Sequence, residues 1–368
     1  MRIAYMLTSL GRGGAERQVI ALAERMAARG HQVVLIVLKP REAHEWPTSL
    51  EVIRLGMRKS LVGLSSGLAA ADRFLHSFHP DLVHSHTFPA NMSARMLRAL
   101  GSAPAVLSTI HNVYEGGWRR SALYGLTDGL AIHTTAVSQA VANRFIQIGA
   151  VPRSKCSVIL NGIDLAEFTT VPNRCIAVRS QLNAAENFIW LAAGRIVPAK
   201  DYPNLLRAFA RVRSASPQAQ LWVAGEANAG RERRIQEFAR RIGVFDFVHW
   251  LGLRGDMPSL LDAADAFVLS SAWEGMPLAV GEAMAMEKPV VATDVGGVRE
   301  LVDDAGMLVP PTDSDALAGA MLRVMRMSLD QRDALGKTAR ERILQHFDMN
   351  TKVAEWDTLY SRLLRDRR

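Results

Sequence analysis

Four charged residues in the second half of the chain have types and spacing suited to handling a diphosphate. Arg195 and Lys200 lie five positions apart in GRIVPAKDYPNLLRAF, on a loop that enters a helical pattern. A guanidinium there can engage two oxygens, and the ammonium adds a compact point charge. Glu274 and Glu282 lie eighty residues on, with seven residues between them, in SSAWEGMPLAVGEAMAMEKPVVATDVGGVREL. The first falls on a loop and the second early in a helix, so both can face one crevice. The amides of Gly275, Met276 and Leu278 at that helix start, with the helix dipole, make a place for an anion. Gly296 and Gly297 open a further tight turn in which backbone can approach a ligand.

The positions of these residues follow from the elements around them. An apolar run, Ala266 to Leu269, reads as a strand, Pro277 opens the helix, and Pro289 to Thr293 reads as a second strand. Phe188 to Ala192 is the strand that delivers Gly194 and Arg195. Carboxyl ends of strands are where open α/β sheets bind ligands. In the first half, Arg2 to Thr8 is a strand, Gly11, Gly13 and Gly14 follow, Ala15 to Arg29 is helical, and His31 to Leu38 is the next strand. The third glycine of a dinucleotide fingerprint would fall at Glu16, so a nicotinamide site is excluded. Further strands are Leu50 to Leu55, Asp81 to His86, Ala105 to Ile110 and Thr134 to Ser138. His84 and His86 alternate onto one strand face, and His111 and Asn112 end the next strand. No carboxylate or cysteine stands at ligand spacing from these histidines, so a metal role is not assigned. Tyr114 to Arg120 (YEGGWRR) reads as a loop suited to an acceptor or a membrane. Asp313 and Asp315 spell D-x-D, yet they stand at a helix start, where aspartate caps.

EGMPLAVGEAMAMEKPVVATDVGGVRELV closely resembles the donor-site motif of family-4 glycosyltransferases, retaining enzymes of the GT-B fold. GGAE at 13 to 16, the strand-end His111, the stretch around Thr134 to Ser138, SVILNGID at 157 to 164 and GRIVPAKDYPNLLRAF resemble that family's other elements. The resemblance covers nearly the whole chain and is strongest between residues 188 and 302. It implies an α/β chain with two Rossmann-like parallel-sheet domains facing a central cleft. The expected boundaries are 1–165 for acceptor binding, 166–345 for donor binding and 346–368 for a helix returning to the first domain, with the linker between Leu165 and Asn187.

The resemblance also implies roles. Arg195 and Lys200 would hold the donor diphosphate, with Gly14, Gly194, Gly275, Met276, Pro277 and Leu278 around it. Glu282 would take the ribose hydroxyls, Glu274 the hydroxyls of the transferred sugar, and His111 the sugar near its anomeric carbon. Arg254, beside Leu253, would lie by the nucleobase. Glu16, His86 and Asn112 fall on the acceptor side. Many family members have Lys-Gly where this chain has Lys200-Asp201, which leaves both charges in place and puts the loop geometry in question. The expected reaction moves a hexose or N-acetylhexosamine from a nucleotide diphosphate sugar, UDP-linked ahead of GDP-mannose, to a hydroxyl of a glycan acceptor. That acceptor would be lipid-linked, in bacterial surface polysaccharide and lipopolysaccharide biosynthesis, and no cofactor or metal is required. A nucleotide-sugar epimerase on the same fold, or a non-catalytic nucleotide- or membrane-binding protein, are the alternatives.

Composition sets the bounds. The 368 residues suit two domains, with 49% hydrophobic residues and no low-complexity tract. Two cysteines, Cys156 and Cys175, and the lack of a signal-peptide start point to a reducing, cytoplasmic setting. No apolar run is long enough to span a bilayer. The whole net charge of +8 falls within residues 1–165. That half either meets something anionic, such as a phospholipid surface or a pyrophosphate-linked acceptor, or is merely a basic, soluble surface. The basic residues are dispersed and lack a reader motif, so nucleic acid is not a partner.

Overall fold

The structure is a computed structural model that describes residues 1–58, 60–171, 174–182, 184 and 186–366. It divides into two compact units, Met1–Gly162 with Met349–Arg368, and Ile163–Asp348. Pro172 and Asn173, taken as linker residues, lie outside the described residues.

The first unit is built on β1 (Arg2–Leu7), β2 (Gln32–Val37), β3 (Glu51–Arg54), β4 (Leu82–His86), β5 (Val106–Ile110), β6 (His133–Ala136) and β7 (Cys156–Val158). They form one seven-stranded sheet in the order β3-β2-β1-β4-β5-β6-β7, every pair parallel. The connections carry α1 (Gly14–Ala28), α2 (Leu61–Phe78), α3 (Phe88–Ala99), α4 (Gly117–Leu126) and α5 (Gln139–Gln147). β4 is buried along its whole length because helices cover both faces, although it carries His84, Ser85 and His86 among its five residues. The run Tyr114 to Arg120, expected as a loop, is a loop only to Gly116, after which α4 begins. Two left-handed glycines, Gly116 at φ 113° and Gly117 at φ 78°, make that entry.

The second unit holds α6 (Arg174–Gln181), β8 (Phe188–Ala193), α7 (Tyr202–Ala215), β9 (Ala219–Ala224), α8 (Ala229–Arg241), β10 (Val248–Gly252), α9 (Met257–Ala263), β11 (Ala266–Leu269), α10 (Leu278–Ala285), β12 (Val290–Thr293), α11 (Val298–Val302), β13 (Met307–Val309), α12 (Ser314–Arg326) and α13 (Leu329–His346). Its six-stranded sheet runs β10-β9-β8-β11-β12-β13, again parallel. Pro277 is the N-cap of α10 rather than its first residue. The stretch expected as an irregular linker contains α6 and belongs to this unit.

Finally α14 (Met349–Arg365) packs its Val353, Trp356, Leu359 and Tyr360 with Val19, Leu22, Ala23 and Met26 of α1, inside the first unit. This side-chain set alternates at helical spacing on both partners, which gives each an apolar stripe to bury.

Candidate functional site

In the second sheet the strand order reverses between β8 and β11, and the loops after these two strands meet there. The first loop is tied to the second by backbone: the Ala272 amide donates to Ala199 O at 2.8 Å, and the Ser270 hydroxyl donates to Lys200 O at 2.8 Å. Gly194 starts the first loop at φ 146°, where a Cβ would press on Lys200 Cε at 2.9 Å. The Tyr202 hydroxyl donates to Gly194 O at 2.7 Å and fixes that turn. Asp201 follows Lys200 in the left-handed region, φ 42°, and its carboxylate accepts from the Asn204 amide at 3.3 Å as the N-cap of α7. Aspartate tolerates this conformation, and it adds a cap that glycine could not supply.

With both loops held, Lys200 Nζ reaches Glu274 Oε1 at 2.7 Å, and the Ser271 hydroxyl donates to the same oxygen at 2.7 Å. Glu274 is 7% exposed, which is tolerable for a carboxylate because it is paired and hydrogen-bonded. Gly296, at φ 54°, lies against the Glu274 carbonyl so closely that a Cβ would overlap it, and the Gly297 amide donates to Gly275 O at 2.8 Å. The second glycine turn thus supports the Glu274 loop itself. Glu282 is 6% exposed in the middle of α10, a helix buried nearly all round. Met276 is buried just before this helix, and the N-cap, Pro277, makes no side-chain cap hydrogen bond, which leaves the Leu278 amide in the first turn for another acceptor.

Arg195 is exposed, and among the described residues its guanidinium has no hydrogen-bond or ion-pair partner. Arg254, by contrast, is engaged by Asp256 through two bonds of 2.8 and 2.6 Å, and this pairing raises its pKa further. Asp313 caps α12, accepting from the Asp315 and Ala316 amides at 3.0 and 2.9 Å, while Asp315 pairs with Arg211.

The first sheet reverses between β1 and β4. After β1 the Gly13 amide donates to Gly11 O at 2.7 Å, Gly13 is the N-cap of α1, and Gly14 is its first residue. Trp46 Nε1 donates to Gly13 O at 3.2 Å, and the Arg12 and Arg17 guanidinia lie 5.4 and 5.1 Å from the Trp46 ring. Glu16 sits under this turn, accepting from the Ser9 hydroxyl at 3.5 Å.

After β4 and β5 the histidines form one array. His86 Nδ1 and His111 Nε2 are 3.0 Å apart, and the His84 and His86 rings are 4.0 Å apart on the same strand face. His84 shares hydrogen bonds of 2.7 Å with Tyr360 and with Thr109, and Thr109 continues to Thr135 at 2.7 Å. Burial holds His84 and His86 well below the usual imidazole pKa, helped by the other histidines, and burial lowers His111 to about 4. At neutral pH these rings are therefore uncharged and act as single donors and acceptors. His86 Nε2 is buried and has no partner. Asn112 is used locally, its Oδ1 accepting from the Tyr114 amide at 3.2 Å.

Sequence reasoning missed Glu115, which lies under this array. Its Oε1 accepts from the His111 amide at 3.1 Å and its Oε2 from the Tyr124 hydroxyl at 2.7 Å. Burial pushes its carboxyl up to about 7, against the opposing pull of those hydrogen bonds and of Arg120. The signal was faint, a single acid among glycines and arginines. Tyr5 and Tyr360, whose hydroxyls are 3.1 Å apart, were also missed because 355 positions separate them.

Two family models match the chain in tandem. One described as Glycosyltransferase Family 4 covers residues 12–167, and one described as Glycosyl transferases group 1 covers residues 187–327. An Escherichia coli UDP-Gal:alpha-D-GlcNAc-diphosphoundecaprenol alpha-1,3-galactosyltransferase is 26% identical over 313 residues, 82% of this chain and 80% of the relative. A putative colanic acid biosynthesis glycosyltransferase, WcaL of Escherichia coli K12, is 26% identical over 301 residues, 78% of this chain and 71% of the relative. Among solved structures, Anabaena Alr3699/HepE in complex with UDP and glucose superposes with a TM-score of 0.85 at 25% identity, over 98% of this chain and 99% of that one. Sucrose-phosphate synthase from Thermosynechococcus elongatus, at 24% identity and full coverage of both chains, shares the fold with a TM-score of 0.87.

Proposed function

As the chain belongs to the group 1 glycosyltransferases and has the GT-B fold, we propose that it moves a hexose or N-acetylhexosamine from a UDP-sugar to a hydroxyl of a lipid-linked glycan acceptor, with retention of configuration, in bacterial surface-polysaccharide assembly. The observation that carries this reading is the Lys200–Glu274 contact at the reversal of the second sheet, next to a guanidinium without a partner. UDP and glucose in the Anabaena relative, and the UDP-galactose and diphosphoundecaprenol named for the Escherichia coli relative, favour the UDP donor and the lipid-linked acceptor.

The chemistry follows from charge. Breaking the bond between the anomeric carbon and the diphosphate oxygen leaves a cationic sugar and adds negative charge to the leaving group. Arg195, Lys200 and the amides at the start of α10 are the groups to compensate that charge, and they act more strongly on the transition state than on the substrate. Lys200 would turn from Glu274 toward the diphosphate, freeing the carboxylate for hydroxyls of the transferred sugar. Glu282 takes the ribose hydroxyls. The Gly14 amide is assigned to the diphosphate, and neutral His111 contacts the sugar as a hydrogen-bonding group. Glu16, His86 and Asn112 remain acceptor-side assignments, and Arg254 reaches the base only by releasing Asp256. The acceptor hydroxyl attacks the face that the diphosphate leaves, and its proton passes to the departing phosphate oxygen. No protein base is needed, and no metal enters these steps.

Calorimetry with UDP and GDP, on the native chain and on Arg195→Ala and Glu282→Ala, tests the donor site. Binding of UDP alone, weakened by both substitutions, is expected; indifference to both would remove the assignment. Product analysis with UDP-sugar and a lipid-linked acceptor then tests the transfer, since turnover of donor without acceptor would mark an epimerase.

A further inference from the structure

We propose that the outward face of α4, with the turn before it, docks this protein on an anionic lipid surface, which would bring it to the lipid-linked acceptor of the reading above. The burial of α4 is the reverse of an ordinary surface helix. Tyr124 faces inward, hydrogen-bonded to Asn91 and Glu115 and edge-on to Phe88 and Phe145. Three of the outward positions are large and apolar: Trp118 is 75% exposed, Leu126 83% and Leu123 43%. Trp118, Ala122 and Leu126 recur every fourth residue, so they form one stripe along the helix. A stripe of this kind facing water is unfavourable unless something apolar covers it.

Charge identifies the cover. Arg119 and Arg120 are exposed beside the stripe, α4 contains no acidic residue, and the Arg119 guanidinium lies 5.6 Å from the Trp118 ring. Arg120 is braced, donating to Glu115 O at 2.7 Å with its guanidinium 4.8 Å from the Phe88 ring. A tryptophan and leucines flanked by arginines match the layered structure of a bilayer interface, with acyl chains under phosphate groups. The whole +8 surplus of the chain falls in residues 1–165, which favours an anionic surface and disfavours packing against a second copy with the same charge. A pocket of about 280 Å³ lined by Tyr114, Trp118, Arg144, Phe145 and Ile148 lies beside the helix and extends its apolar surface inward. Among the described residues no helix is long and apolar enough to cross a membrane, so the contact is with the interface.

Flotation of the full chain with phosphatidylcholine vesicles, and with vesicles containing phosphatidylglycerol, tests the proposal. The native chain should bind the anionic vesicles and largely ignore the neutral ones. Trp118→Ser with Leu126→Ser should lower that partition roughly tenfold or more, the factor that follows when large apolar side chains lose their burial. Arg119→Ser should lower it less, and added salt should reduce the native binding. Both variants should bind UDP as the native chain does, because the changed residues are exposed and none of them is a donor assignment. That readout separates a failure of docking from a failure of the transferase reading. Equal partition onto neutral and anionic vesicles, or native-like partition of the double variant, overturns the proposal. So does a dimer in solution that the double substitution dissolves without any vesicle binding.

Discussion

Glu115→Gln is expected to change how the stability of the first unit depends on pH. In the fold, burial lifts this carboxyl to about 7, opposed by the Tyr124 hydroxyl, the His111 amide and Arg120. In the unfolded chain it returns to about 4.3. A raised carboxyl favours its neutral form in the fold, so the unfolded chain releases its proton first. The stability it contributes is fully present below about pH 4 and is lost as pH rises through about 7. The full gap would correspond to about 3 to 4 kcal/mol; Glu115 is only half-buried, and solvent reduces this to about 2 kcal/mol. Glutamine does not ionise and can still accept from the His111 amide. Relative to Glu115→Gln, the native chain should therefore lose about 2 kcal/mol between about pH 5 and pH 8. Urea unfolding of both proteins at several pH values, with the transition of the first unit followed separately, gives the difference directly. A difference flat within about 0.5 kcal/mol, or rising with pH, would refute the buried-carboxyl account.

Three further outcomes concern the second unit. Gly296→Ala should destabilise by about 2 kcal/mol or more, because the added carbon meets the Glu274 carbonyl in a left-handed conformation; unchanged urea midpoints would contradict this. Lys200→Met and Glu274→Gln should each cost about 2 kcal/mol, and the double variant less than their sum by about 1 kcal/mol or more, since removing both partners leaves no buried charge unmatched; strict additivity in a double-mutant cycle would show that the contact is energetically idle. Asp201→Gly should be nearly neutral, trading a lost cap against relief of the left-handed backbone, whereas Asp201→Ala should cost about 1.5 kcal/mol because it loses the cap and keeps the strain; thermal unfolding that ranks them the other way would reject that balance.

The fold was legible where local pattern carries it. Buried strands such as β1, β8 and the four-residue β11 announce themselves as apolar runs, and the glycine turns after them mark where the chain must approach itself closely. Short elements did not: β13 has three residues and α11 five, too few to express a period. The glycines that open α4 disguised a helix as a loop. At the site, Glu274, Lys200 and Arg195 could be picked out by type, and Asp256, two positions from Arg254, was a local sign of their pairing that went unread. Nothing local said that Lys200 rests on Glu274, a contact across 74 positions. Glu115 was hidden because its importance lies in its burial, which sequence records only indirectly.

The return of α14 to the first unit sets an order for synthesis. Trp356 and Tyr360 help close the core around α1, and the Tyr360 hydroxyl holds His84 at 2.7 Å, so the histidine array lacks a wall until these residues arrive. Ile163–Asp348 is contiguous and complete before them. A nascent chain thus finishes its second unit first, while the earlier-made sheet waits with an open apolar strip along α1 for α14 to leave the ribosome. For that interval the half translated first is the half most dependent on protection from aggregation.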